Sequence, residues 1–327
     1  MGGCSRHRRP TVPGRSLVTD TAGAPAPRRI LLLSHPRRAE AHEIARQVTA
    51  AFVAAGIEVV GIDSDHGLPD AGARSVGALP DSPVAGCELV VVLGGDGTIL
   101  RGAELARDHG VPVLGVNLGH VGFLAEAERE DLRATVDKIV RREWTVEERM
   151  TLDVTVQVDG ELVDSTWALN EAAVEKAARE RMLEVAVEVD GRPLSTWGCD
   201  GVVIATPTGS TAYAFSAGGP VVWPDVEAIL LVPISAHALF ARPLVVGPDS
   251  HLAIEVVPQT QAAGILWCDG RRSSDLPLGA RIEVVRSTRP VLLARLTNAP
   301  FTDRLVAKFH LPVTGWRGAA RHDVAAE

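Results

Sequence analysis

Leu89-Val90-Val91-Val92-Leu93-Gly94-Gly95-Asp96-Gly97-Thr98 is the stretch that decides the fold. Five consecutive apolar residues predict a strand covered on both faces, the habit of a parallel sheet. A glycine-rich turn follows, and residues 99–108 then carry apolar side chains at helical spacing. Such a turn, between a buried parallel strand and a helix, puts backbone N–H groups and the positive helix end where a phosphate can sit. Glycine allows close approach to a ligand and positive φ. Asp96 sets a carboxylate among donors that favour anions. A phosphoryl-transfer site explains it: the carboxylate accepts a proton from an attacking hydroxyl, or helps hold Mg²⁺ on a triphosphate. The bland alternative is a plain Gly-Asp-Gly turn.

Outward from this stretch the same alternation continues. Residues 30–33 read as a strand, 39–55 as a helix stopped by Gly56, 57–62 and 113–116 as strands, and 132–142 as a helix, which together imply a doubly wound sheet. Residues 63–86, rich in Gly, Ala and Asp, are expected to be mobile. Residues 1–28, rich in Arg, Pro, Gly and Ser, read as a flexible extension. After about Thr145 the period changes to strict alternation, as in Leu152-Asp153-Val154-Thr155-Val156-Gln157-Val158, with hairpin signals at Asp159-Gly160 and Asp190-Gly191. Residues 252–257, 280–285 and 291–296 are further strands of this β-type second domain. A short helix over 302–308 has Thr302 as its N-cap.

A chain of 327 residues accommodates two domains, and 46% hydrophobic with 23% charged residues suffices for sizeable cores. The formal net charge of −8 argues against adhesion to nucleic acid or an anionic membrane. Cys4, Cys87, Cys199 and Cys268 lie far apart, which suggests neither a zinc site nor a disulfide framework and fits a reducing cytosol. No apolar run approaches the roughly 20 residues of a membrane span, and no signal-peptide segment is seen. No His or Cys spacing suggests a metal-ligand set, and Gly-x-Ser-x-Gly is absent.

Two further blocks carry chemistry. Between Gly198 and Pro220, Thr206, Thr208, Ser210, Thr211 and Ser216 offer small neutral donors and acceptors among glycines, suited to a ribose and diphosphate; a polar turn region is the alternative. Asn170-Glu171 leaves an apolar segment, and the pair suits ribose hydroxyls or an adenine edge as well as an ordinary helix start. Arg271-Arg272, after Asp269-Gly270, reaches a phosphate or is merely solvated.

Together these blocks resemble the NAD kinase family, which phosphorylates the adenosine 2′-hydroxyl of NAD to make NADP. The similarity rests on Gly94-Gly95-Asp96-Gly97-Thr98, Gly115-Val116-Asn117-Leu118-Gly119-His120-Val121-Gly122-Phe123-Leu124, Asn170-Glu171, the block from Thr206 to Pro220, and Ala241-Arg242-Pro243-Leu244. The tail, from Leu305-Val306-Ala307-Lys308 to Gly315-Trp316, resembles actinobacterial members. Diacylglycerol and sphingosine kinases share the Gly-Gly-Asp-Gly-Thr loop; the Thr206 to Pro220 block separates them.

The resemblance implies an α/β + β fold: a Rossmann-like α/β domain over 29–145, a β-sandwich-like NAD-binding domain over 146–300, and a 301–327 tail whose helix packs back on the first domain. It implies Asp96 as the proton acceptor, with Gly97 beside phosphate or ribose and Arg101 meeting a phosphate. Asn170 and Glu171 would hold the adenosine, Phe123 would pack on adenine, and Asp200, Thr211, Ala212, Tyr213, Ala214, Phe215 and Ser216 would line the NAD site. Mg²⁺, with ATP or polyphosphate as donor, and a cytoplasmic homodimer or homotetramer are implied too. Gly198, two residues before Asp200, accompanies polyphosphate use in similar members, and Arg271 stands where Gln is common. A lipid kinase and a non-catalytic NAD-responsive module are the rival readings.

Overall fold

The computed structural model describes residues 27–35, 39–62, 72, 74–76, 82–118, 122–128, 131–259 and 262–313. Residues 1–26 of the expected extension and most of the 63–86 segment lie outside them, whereas Arg28, counted in the extension, is paired with Glu88 at 2.6 Å.

The first layer is a sheet built from β1 (Arg29–Ser34), β2 (Glu58–Ile62), β3 (Arg74–Val76), β4 (Leu89–Leu93), β5 (Val113–Asn117), β6 (Ala127–Glu128) and β7 (Thr145–Arg149). Helices α1 (Ala39–Ala54), α2 (Asp96–Ala106) and α3 (Leu132–Val140) connect these strands. Every residue of β4 and β5 is buried, as the apolar runs require of strands with helices on both faces. Ile44, Val48 and Phe52 of α1 cover one face. Ile99, Leu100 and Ala103 of α2 cover the other. Gly102 brings α2 close: a Cβ there would stand 2.7 Å from Val92 Cγ2.

The strand order is β3-β2-β1-β4-β5, all parallel. The order reverses between β1 and β4, and in such sheets ligands bind in the crevice at the carboxyl ends of the strands flanking that point. Gly94-Gly95-Asp96 leaves β4 at that place.

The second layer is a sandwich of two antiparallel six-stranded sheets. Its strands are β8 (Leu152–Val158), β9 (Glu161–Ala168), β10 (Glu171–Lys176), β11 (Leu183–Val189), β12 (Arg192–Cys199), β13 (Gly201–Ala205), β14 (Ile229–Ile234), β15 (Leu244–Val246), β16 (Leu252–Val256), β17 (Gly264–Cys268), β18 (Arg272–Leu276) and β19 (Arg281–Arg286). One sheet runs β15-β14-β13-β10-β17-β18 and the other β12-β11-β16-β19-β8-β9. Alternating inward residues such as Leu152, Val154 and Val156 of β8 meet Val202, Ile204 and Leu266 of the facing sheet in one core, which is why the period-2 pattern reads through so clearly. Asp159 and Asp190 take positive φ ahead of Gly160 and Gly191, as type I′ hairpin turns demand.

One strand is not where its position in the chain suggests. Val291–Arg295 forms β20, which lies between β5 and β7 in the first sheet rather than in the sandwich. The chain therefore crosses between layers after β7 and again before β20. Arg107, just past α2 with its side chain 5% exposed, fastens both crossings: it donates to Ser287 Oγ at 2.7 Å and the Arg289 carbonyl at 3.1 Å, and pairs with Asp153 at 3.3 Å. Its guanidinium and that of Arg272 each lie 4.4 Å from the Trp167 ring centre.

The final helix, α5 (Phe301–Phe309), starts one residue before the expected Thr302 cap, with Pro300 as its N-cap. No helix among the described residues is long and apolar enough to cross a membrane.

Candidate active site

Helix α2 begins at Asp96, three residues before the expected start, so Asp96 and Gly97 sit in its first turn with Gly95 as N-cap. None of Gly94, Gly95 and Gly97 has positive φ, contrary to the conformational reason expected for them. For Gly94 the need is steric. A Cβ on Gly94 would stand 2.9 Å from Thr98 Cβ, whereas Gly95 and Gly97 face open space. That leaves bare backbone at the helix N-terminus, where a phosphate gains from both N–H groups and the helix dipole.

The Asp96 carboxylate is held by the loop that follows β5. Phe123 N–H donates to Oδ2 at 3.2 Å and Leu124 N–H to Oδ1 at 3.1 Å. Gly122 makes this possible, because a Cβ there would lie 3.1 Å from the carboxylate carbon. Charge-assisted bonds of this kind orient a carboxylate and leave its remaining lone pairs free to accept a proton. Gly119, His120 and Val121 of the same motif lie outside the described residues.

Asn170 and Glu171 stand at the start of β10, both buried. Leu169 packs with Ile99, Leu100 and Leu124, which sets the pair beside the first turns of α2. Beneath it lies Asp269, a residue that the sequence analysis passed over. Its carboxylate accepts the N–H groups of Leu169 (3.0 Å), Asn170 (2.7 Å) and Glu171 (3.3 Å) and the Arg272 guanidinium (2.7 Å). Burial raises the Asp269 pKa despite these bonds. Glu171 is pushed up to about 8, first by burial and then by Asp269, so it is protonated at neutral pH and can donate as well as accept.

Much of the hydroxyl-rich block is structural. Thr206 Oγ1 donates to the Leu169 carbonyl at 2.6 Å and accepts from Gly209 N–H at 3.1 Å, while Ser210 Oγ bonds both backbone groups of Val222. Gly209 lies so tight under the Asn170 backbone that a side chain would overlap it. The block thus braces Asn170-Glu171 instead of presenting Thr206 and Ser210 to a ligand. Thr211 bonds the Thr208 carbonyl at 3.3 Å. Ala214 is fully buried in a small cluster with Ala173 and Val203, so only its backbone can face a ligand. Tyr213, Phe215 and Ser216 of α4 (Tyr213–Ser216) are exposed. Tyr213 N–H reaches Glu171 at 3.4 Å and its hydroxyl donates to Glu175; partial desolvation of the hydroxyl, then that bond, raises the phenol pKa. Asp200 pairs with Lys176 at 2.5 Å, which lowers its pKa.

Helix α5 closes the arrangement. Phe309 lies 5.8 Å from Phe123 and 4.7 Å from Phe215, ring centre to ring centre, and Phe301 lies 5.9 Å from Phe123. The helix therefore touches the Asp96-holding loop and the α4 block at once, and it buries Phe123, expected to face adenine, to 9% exposure. Arg101 is half-buried one turn past Asp96. Arg271 pairs with Glu104 of α2 at 2.9 Å.

These elements gather a phosphate-ready helix end, an oriented carboxylate and a polar pair suited to a ribose. Comparison with known proteins decides what they belong to. The ATP-NAD kinase N-terminal domain matches residues 30–144 and the ATP-NAD kinase C-terminal domain residues 169–296. The chain belongs to the NAD kinase family. It is 60% identical over 294 residues to NAD kinase 2 of Streptomyces coelicolor, covering 89% of this chain and 97% of that one. It is 59% identical over 308 residues to the NAD kinase of Thermobifida fusca, covering 91% and 94%. Among solved structures, an NAD kinase from Archaeoglobus fulgidus in complex with ATP is 28% identical with a TM-score of 0.66, over 86% of this chain and 98% of that one. Yeast NADH kinase complexed with NADH, 24% identical with a TM-score of 0.79 over 88% and 89%, shares the fold.

Proposed function

We propose that this NAD kinase transfers the terminal phosphoryl group of ATP to the adenosine 2′-hydroxyl of NAD, with Asp96 accepting the hydroxyl proton. The observation that carries this reading is the Asp96 carboxylate, fixed by two backbone N–H groups at the head of α2 beside bare glycine backbone. Gly97, with Arg101 one turn on, meets phosphate. Asn170 and the protonated Glu171 hold the adenosine ribose, and Asp200, Thr211, Ala212, Tyr213, Phe215 and Ser216, with the Ala214 backbone, line the rest of the NAD site. Positioning and charge neutralisation supply most of the catalysis.

Among the described residues no group of three or more His, Cys, Asp or Glu side chains gathers to hold a metal. The donor set fits Mg²⁺ carried on the donor's phosphates, with Asp96 the carboxylate it would meet; when bound it neutralises phosphate charge. The chain acts in the cytosol, consistent with free thiols at Cys87, Cys199 and Cys268. It acts as a homodimer or homotetramer, supported by Leu239 and Phe240, which stand exposed beyond β14. Purified protein incubated with NAD and Mg²⁺ should form NADP with ATP, and polyphosphate in its place tests the donor choice that Gly198 raises. No NADP with either donor refutes the reading.

A further inference from the structure

A cavity of about 470 Å³ lies under the start of α5, walled by Arg149 of β7, Arg295 of β20, Arg304 and Phe301 of α5, and Trp223. None of Asp96, Asn170, Glu171 and Tyr213 lines it. Its three arginine side chains are 6%, 8% and 15% exposed, in chain order. They share two carboxylates. Glu147 meets Arg149 at 2.9 Å and Arg295 at 2.6 Å, and Glu126 meets Arg295 at 3.0 Å and Arg304 at 2.5 Å. Glu126 is further committed to Leu296 and Thr297 at 2.8–3.0 Å. Among the described residues, these three largely enclosed cations meet two carboxylates, which leaves one positive charge in excess. Asp225 also lines the cavity but is exposed to solvent, where a charge offsets little.

Arg149 shows the deficit most plainly. Its Nε is buried and has no hydrogen-bond partner among the described residues. Burial, then repulsion from Arg295, brings its guanidinium down to about 10, and the same causes lower Arg304. Buried polar groups ordinarily find partners, and a cluster of mutually repelling guanidinia lining a cavity of ligand size suits an anion. Guanidinium geometry matches phosphate oxygens. Trp223 and Phe301, 5.3 Å apart edge to face, give the cavity an apolar side.

We propose that this cavity is a second ligand site, for a small phosphate-bearing anion, separate from the cleft around Asp96. The site is wired to that cleft. Arg304, through Nη1, donates to the Phe123 carbonyl at 3.2 Å, and Phe123 N–H donates to Asp96. An anion that draws on Arg304 therefore bears on the loop that aims the proposed base, as well as on the seating of α5.

The test is calorimetric titration of the full chain with inorganic pyrophosphate, without divalent cation and at low ionic strength. Two variants localise the binding. Asn298→Asp adds a like charge for the ligand at an exposed position on the cavity wall, and Arg149→Met removes the under-partnered guanidinium while leaving Glu147 paired with Arg295. The wild type should bind pyrophosphate, and each variant should bind at least tenfold more weakly. Where Arg149→Met proves to be unfolded by circular dichroism, Asn298→Asp decides alone. No binding by the wild type, or wild-type affinity in Asn298→Asp, overturns the proposal.

Discussion

Replacing Asp269 by asparagine tests how the adenosine-side pair is held. The residue is 7% exposed, and each of its carboxylate oxygens is used twice. Oδ1 accepts from Asn170 and Glu171, and Oδ2 accepts from Leu169 and Arg272. An amide keeps one oxygen. Whichever side its NH₂ takes, it faces two donors, so two bonds are lost. Hydrogen bonds to a charged group contribute about 1.5–3 kcal/mol each. Part of that loss is offset because the neutral amide no longer buries a charge beside Glu171, and we expect a net cost of about 2–4 kcal/mol. Urea unfolding followed by circular dichroism should show the midpoint falling by about 0.5–1.5 M. Loosening the 169–171 backbone should also weaken NAD binding, read by calorimetry, by about tenfold, or about 1.4 kcal/mol. A midpoint within about 0.3 M of wild type together with NAD affinity within twofold refutes the reasoning.

Gly122→Ala drives a methyl group into the Asp96 carboxylate and should lower kcat by about a hundredfold with KM for NAD changed little, since small misplacements of a reacting group cost rate more than binding; a steady-state assay showing kcat within threefold contradicts this. Glu171 should leave a mark on the pH dependence of stability. Its pKa is about 8 in the fold against an ordinary 4.5, so its contribution is fully present below about pH 4.5 and is lost as pH rises to about 8. Thermal melts of Glu171→Gln between pH 5 and 8 should therefore fall less steeply than those of wild type, and parallel curves would show that Glu171 ionises normally.

The parts of this molecule that follow from local pattern were legible in the sequence. Leu89–Leu93 announces a strand with two covered faces, and Leu152–Val158 a strand with one. What escaped were pairings across long separations. Val291–Arg295 reads as a strand from its residues, but its partners β5 and β7 are set by the chain's return to the first sheet, which composition does not encode. Asp269 stands at an Asp-Gly turn signal, and only the fold shows three backbone N–H groups about a hundred residues away converging on it. The hydroxyls of Thr206 and Ser210 were visible, yet a hydroxyl that braces a loop and one that meets a ribose look alike in sequence. Of the two reasons expected for the loop glycines, positive φ is absent, while the open backbone at Gly95 and Gly97 leaves room for close approach of a ligand and Gly94 packs tightly on Thr98.

The central claim is that Asp96 takes the proton of the NAD 2′-hydroxyl. Asp96→Asn keeps the size of the side chain and an oxygen for the loop to hold while removing its basicity, so NADP formation and NAD binding should be measured on the same preparation. We predict that turnover falls by about 10²–10⁴-fold, the usual worth of a general base, while the Kd for NAD stays within about threefold, or about 0.7 kcal/mol. NADP formation near the wild-type rate in a folded, NAD-binding Asp96→Asn protein would contradict the account.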